Sequence, residues 1–296
     1  HSFPTRRSSD LEHKTDEKGN QFWYKNGVLH RDGDLPAVEY SNGEREWYKD
    51  GKLHRDGDKP AIIKSYGTKE WYKYGMRHRE NDLPARENVN GNKSWYITGK
   101  LHREGNKPAI DRKYGFKDYY KNGVLHRDGD LPARENEEGE KEWYKKGKLH
   151  REGDKPAFID WKGDKHWYIN GERYRAGDKP TIECANGDKQ WWKNGKVHRD
   201  NDKPAIEKAN GDKQWYIKGR LHRDNDLPAI EREDGGKEWY KYGMRHREND
   251  LPAIEHPDGY KEYYKNGKQY EYNDQAKENN SLENETIVED AKGKYR

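Results

Sequence analysis

The chain is poor in the residues that carry redox chemistry and membrane insertion, with 1 Cys, 2 Met and 4 Phe among 296 residues. No apolar run approaches the roughly 18 residues of a membrane helix, which excludes a helical integral membrane segment in this sequence. The single Cys184 rules out internal disulfides and fits a reducing compartment, so the expected location is cytoplasmic. An excess of one charge is missing too. With 60 basic and 56 acidic residues the formal net charge is +4, which leaves little counterion release to drive nucleic-acid binding. Hydrophobic residues reach 29% against 39% charged, a balance at which many chains stay unfolded. What is present reverses that expectation: 11 Trp and 22 Tyr are more than disordered chains carry, and nearly all of them follow one period.

That period is 24 residues, without insertion. An aromatic pair begins at Trp23, Trp47, Trp71, Trp95, Tyr119, Trp143, Trp167, Trp191, Trp215, Trp239 and Tyr263, and the second ring is Tyr except at Trp192. Fixed self-similarity of this kind marks a tandem array in which each unit packs on its neighbours and cannot bury its apolar face alone. The array spans residues 20–270, about ten and a half repeats. Residues 12–19 read as the remnant of a truncated repeat, with Gly19 in phase, and residues 271–296 leave the period and read as a flexible polar tail. Residues 1–11 (His-Ser-Phe-Pro-Thr-Arg-Arg-Ser-Ser-Asp-Leu) match the in-frame translation of a common sequencing adapter. They are set aside as an artefact, with the natural N-terminus expected upstream.

Read from its first aromatic, the unit runs W-Y-K-N-G-K-L-H-R-D-G-D-x-P-A-I-E-x-x-N-G-x-K-E. Its first break is built on Gly27, Gly51, Gly75, Gly99, Gly123, Gly147, Gly171, Gly195, Gly219 and Gly243, with Asn or Asp before Gly at Asn26, Asp50, Asn122, Asn170 and Asn194. Asn-Gly between aromatic and aliphatic runs predicts a two-residue type I′ hairpin, because both turn residues need positive φ. With the turn at Asp50-Gly51, Lys49 faces Lys52, Tyr48 faces Leu53, Trp47 faces His54 and Glu46 faces Arg55, the last an expected ion pair. Charge selects the register of the second break, Ser41-Asn42-Gly43. A three-residue loop closed by a Gly bulge puts Glu39 opposite Arg45 and Ala37 opposite Trp47, whereas a two-residue turn would set Glu39 against Glu46. The third break, Asp32-Gly33-Asp34-Leu35-Pro36, holds only Gly or Asn at the place of Gly33 (Asn81, Asn201, Asn225, Asn249), the residues that tolerate the left-handed region. Its Pro cannot donate to a ladder, so it sits at a bulge or a strand start. The expected fold class is all-β: an elongated tandem array of 24-residue β-hairpin repeats in an antiparallel meander, with a β-solenoid as the alternative.

Local matches to chemical motifs lead nowhere catalytic. His-Arg-Asp at residues 30–32, 54–56, 126–128, 198–200 and 222–224 has the form of a kinase catalytic loop, but no Gly-rich phosphate loop, Asp-Phe-Gly or long helix accompanies it. No catalytic residue is assigned. The histidines form a column whose members lie two strands apart, roughly 9–10 Å, too far to share an ion with ligand bonds near 2 Å. They are expected to pack on the opposing Trp, the paired acids Asp32 and Asp34 to serve turn chemistry, and no metal or cofactor is assigned. The functional residues expected instead form a partner-binding ladder of Trp23, Trp47, Trp71, Trp95, Trp143, Trp167, Trp191, Trp215 and Trp239 with His54, His78, His102, His126 and His150. Single-stranded nucleic acid stacked on these rings is a further alternative, disfavoured by the balanced charge.

The run Trp-Tyr-Lys-Asn-Gly-Lys-Leu-His, followed by a Gly-bearing loop and a second Gly near residue 20 of the unit, resembles the MORN repeat (membrane occupation and recognition nexus) over about residues 20–270. It departs where those repeats have Gly after the His: here Arg31, Arg55, Arg79 and their equivalents follow, then Pro-Ala. The chain therefore resembles a divergent MORN-like class, of the kind found in large DNA viruses, phages and some bacteria. The resemblance implies antiparallel hairpins in an elongated single-layer sheet, and a scaffolding role through protein partners or self-association. Peripheral lipid binding, proposed for such repeats, is left open. Secreted cell-wall and glucan-binding repeats, whose adjacent aromatics cage sugars or choline, are the alternative resemblance.

Overall fold

The structure is a computed structural model that describes residues 11–271. The adapter-like segment up to residue 10 and the tail from residue 272 lie outside the described residues. The chain divides into two compact units at Arg175/Ala176.

Each repeat contributes four very short strands, as in Arg45–Glu46, Tyr48–Lys49, Lys52–Leu53 and Ile62–Ile63. The first and last join a continuous antiparallel ladder; the middle two form a separate hairpin. Trp47 is where the chain changes partner. Its N–H donates to Ala61 O at 2.8 Å in the ladder, and its own carbonyl accepts the His54 N–H at 3.0 Å in the hairpin. In unit 1 the ladder runs strictly in chain order, Val38–Glu39 against Arg45–Glu46, then Ile62–Ile63, then Lys69–Glu70, and so on to Lys165–His166. Unit 2 repeats the pattern from Ile182–Glu183 to the strand Lys261–Lys265. Neighbours are consecutive and antiparallel throughout, so each unit is an open meander of hairpins and not a solenoid of parallel coils.

The turn chemistry follows the residues. Asn26 and Gly27 have φ of 53° and 77°, the two positive values of a type I′ turn. Where Asn is replaced, Tyr74, Lys146 and even Thr98 adopt the same left-handed backbone (φ 50°, 50° and 46°), held there by the hairpin on either side. In the second break Glu39 pairs with Arg45 and Val38 with Glu46, the three-residue loop register, and Tyr40 and Glu44 close it. Residues 16–20 form the same closed turn, and Leu11–Thr15 pairs with Gln21–Lys25 in the same register. The third break starts a separate strand. Both of its apical residues are left-handed, Gly33 at 75° and Asp34 at 57°, one more than the Gly/Asn pattern predicts.

The core is the column where Trp meets Ala. Ala37, Ala61, Ala85, Ala109, Ala133 and Ala157 are fully buried, and the Trp that each faces leaves only a few per cent of its surface in solvent. One repeat departs from Ala: Thr181 takes the place, is buried as well, and keeps the ladder bond to Gln190 O at 2.9 Å, so the column admits a small side chain next to the indole. Hairpins stack on one another through the Gly N–H, which donates to the preceding hairpin, as Gly51 does to Leu29 O at 2.9 Å.

Candidate interaction surface

The first Trp of each repeat lies under an arginine lid that binds two consecutive loops together. The Arg55 guanidinium sits 3.8 Å from the centroid of the Trp47 ring. It donates to Asp34 of the previous repeat through Nε (2.7 Å) and a terminal nitrogen (3.2 Å), and to Pro60 O of its own loop (3.3 Å). Trp47 Nε1 donates to Asp34 O at 3.1 Å, which explains the left-handed Asp: its carbonyl and carboxylate must face the next repeat. The same lid covers Trp71, Trp95, Trp143, Trp191, Trp215 and Trp239 at 3.8 Å and Trp167 at 3.7 Å. Where Lys59, Lys107 and Lys203 add a second cation, hydrogen bonds from Arg and Lys hold the carboxyls of Asp34, Asp82 and Asp178 at about 2.

Two expected pairings change as a result. Arg55 does not meet Glu46, because the stacked guanidinium is committed to Asp34; Glu46 instead accepts from the Tyr48 hydroxyl at 3.0 Å. Glu39 stands opposite Arg45 in register, yet its carboxylate bonds Arg31 at 2.9 Å. The histidines are also re-aimed. With Arg over the indole, His54 does not stack on Trp47 but on Tyr74 of the next turn, ring centroids 4.3 Å apart. Its Nδ1 accepts the Tyr74 N–H at 3.2 Å, which places the ring proton on Nε2, facing Asp56 at 2.9 Å. His30, His102, His150 and His246 make the same tie to the following turn.

The expected partner-binding ladder is thus divided. Trp47, Trp71, Trp95, Trp143, Trp167, Trp191, Trp215 and Trp239 are core, and only Trp23 is half-buried. His54, His102 and His150 are buried ties between repeats, while His78 and His126 are half-buried. With both indole faces covered, these Trp side chains offer no cage for a sugar or a base. The second ring of each pair is the more accessible: Tyr48, Tyr72, Tyr96 and Tyr144 are half-buried on the other face of the sheet. The paired acids part company, Asp32 going to Lys25 and His30, and Asp34 to Arg55 and Lys59. Among the described residues no three His, Cys, Asp or Glu side chains gather as a metal site, and no helix is long and apolar enough to cross a membrane.

The residues most open to a partner break the repeat pattern. Tyr66 (60% exposed), Val89 (74%), Tyr114 (71%) and Trp161 (63%) all stand at the tips of the Ser-Asn-Gly-type turns of unit 1. Three of these turns are consecutive, and Val89 reaches to within contact of the position where Gly67 would carry a side chain. Around them are Ser65, Asn90 and Asn92, with Lys113 beside Tyr114 and Lys162 beside Trp161. The sequence signal was present as a mismatch: these are apolar residues where the unit calls for small polar ones. No protein-family model and no curated protein matches the chain.

Proposed function

We propose that this protein is a non-catalytic repeat scaffold that binds a protein partner or a second copy of itself through the turn edge of unit 1. The observation that carries the reading is the set Tyr66, Val89, Tyr114 and Trp161, large apolar side chains left in solvent on turns while Trp47 and its equivalents are buried. Tyr and Trp supply large contact area at low entropic cost, and they concentrate binding energy at interfaces. The His-Arg-Asp segments are spent on stacking repeats, which supports a role without catalysis. The MORN-like unit supports scaffolding, and the lone Cys184 a reducing, cytoplasmic setting.

Photo-crosslinking amino acids at positions 66, 89, 114 and 161, with position 69 on the sheet as control, test the reading in extracts of the source cell and with purified protein alone. Discrete adducts at the turn positions and not at 69 are expected; equal labelling at all five would overturn it. A neutral polysaccharide is a second reading, favoured by the uncharged Ser65, Asn90 and Asn92 around flat exposed rings. Retardation in polysaccharide-containing native gels that disappears on Tyr66→Ser and Tyr114→Ser would favour it.

A further inference from the structure

The repeats of unit 1 alternate in kind at the hairpin-and-loop end. The residue after each hairpin turn and the residue before each Pro are both apolar in one repeat and both Lys in the next: Val28 and Leu35, then Lys52 and Lys59, and so on through Val124 and Leu131, then Lys148 and Lys155. The exact period of the array is therefore 48 residues at this end, twice the period of the core. In unit 2 the alternation is lost, with Lys196 and Lys203 followed by Arg220 and Leu227.

The structure gives this alternation a shape. At each step from an apolar repeat to a lysine repeat there is a cleft, of about 400, 340 and 360 Å³ in turn, with Leu35, Leu83 or Leu131 on one wall and Lys59, Lys107 or Lys155 on the other. The leucines are 38–48% exposed. The carboxylates within are already bonded: both oxygens of Asp34 are taken by Arg55 and Lys59, and those of Asp56 by His54 and Lys49. With its carboxylates already bonded, the first cleft offers an incoming side chain the apolar wall of Leu35. Lys49 lines the first cleft and faces Lys52 across the hairpin. Lys52 is exposed and, like Lys100 and Lys148, makes no ion pair or side-chain hydrogen bond among the described residues.

We propose that this end of unit 1 docks an extended acidic segment of a protein partner, one apolar side chain entering each cleft and carboxylates between them meeting Lys52, Lys100 and Lys148. The proposal rests on the scaffold reading but uses a different surface. Two repeats contribute four strands to the ladder, so the clefts recur at about 19 Å, or about six residues of an extended chain at ~3.3 Å each. The partner's signature is an apolar residue every sixth position with Asp or Glu between. Three weak contacts on one chain then reinforce each other through effective concentration.

The test uses the full chain and a fluorescein-labelled 18-residue peptide of three hexads, Leu at the first position and Glu at the third and fourth, read by fluorescence anisotropy. Saturable binding is expected, weakened at least tenfold for a single-hexad peptide, for Leu83→Glu and for the triple variant Lys52→Gln, Lys100→Gln, Lys148→Gln. Binding should also fall with added salt, and the Lys-for-Glu peptide should not bind. These exposed positions leave folding intact, checked by far-UV circular dichroism. No saturable binding, or binding unchanged in both variants, overturns the proposal. If turn-edge crosslinks persist in that case, the scaffold reading stands and only this surface is lost; if they are absent too, both fall.

Discussion

Units 1 and 2 share a core and differ at their edges. Ala205, Ala229 and Ala253 in unit 2 are as buried as Ala37 and Ala61 in unit 1, and Trp191, Trp215 and Trp239 lie under Arg199, Arg223 and Arg247 at the same 3.8 Å. At the turn tips, however, unit 2 has Asn186, Asn210, Asp234 and Asp258 in the register of Tyr66 and Tyr114, and Ala185, Ala209, Glu233 and Pro257 in the register of Val89 and Trp161; its exposed Tyr260 stands just after a turn. The paired alternation of Leu and Lys likewise belongs to unit 1. In a stacked array the residues that bond a neighbouring repeat are constrained by it, as Asp34 and Gly51 are, while side chains that project into solvent from the turns are freer to vary. Variation confined to such positions is where partner specificity is to be sought.

Four experiments break or sharpen that comparison. The largest effect is expected from Trp95→Ala and Trp215→Ala, which empty equivalent core sites. Each should lower stability by about 3–5 kcal/mol in urea unfolding, and similar losses in the two units would confirm a common core. A smaller loss, about 1–2 kcal/mol, is expected from Arg103→Ala and Arg223→Ala, which lift the lid from Trp95 and Trp215. Lys at these positions keeps a charge but not the planar fork that stacks and bonds at once, so it should recover only part of the loss.

Acid should separate the singly from the doubly held loops. Asp82 and Asp178 sit at about 2 in the folded protein against an ordinary 3.8. Their contribution is therefore complete above the ordinary value and is lost as pH falls through the folded one. Thermal melts should decline from about pH 4 toward pH 2, and Asp82→Asn and Asp178→Asn should flatten that decline. Asp58, held by Arg79 without a lysine, should flatten it less when changed to Asn. The smallest structural effect belongs to Tyr114→Ser, within about 0.5 kcal/mol of wild type, because the ring is 71% exposed. Its effect on crosslinked adducts should be far larger; a stability loss matching the loss of adducts would count against a binding edge.

Much of the local geometry was legible in the residues. The Asn-Gly dipeptides announced the hairpins, and the alternation of Glu39 and Arg45 chose the register of the second turn, because both depend on atoms close in sequence. Which ring of the aromatic pair turns inward was not legible, since adjacent residues on a strand face opposite sides and either could have been the core. Nor was the lid: Arg55 and Asp34 are 21 residues apart and meet only because consecutive repeats stack in one register.

By itself, then, the sequence determined the period and the hairpins, set by backbone dihedral preferences and near-neighbour pairing, while the choice between meander and solenoid came from the strand order of the structure. Only the tertiary structure decided that the tryptophans are core and the out-of-register tyrosines are surface. Burial is a property of what packs above a side chain, and here that cover is an arginine held in place by an Asp of the neighbouring repeat.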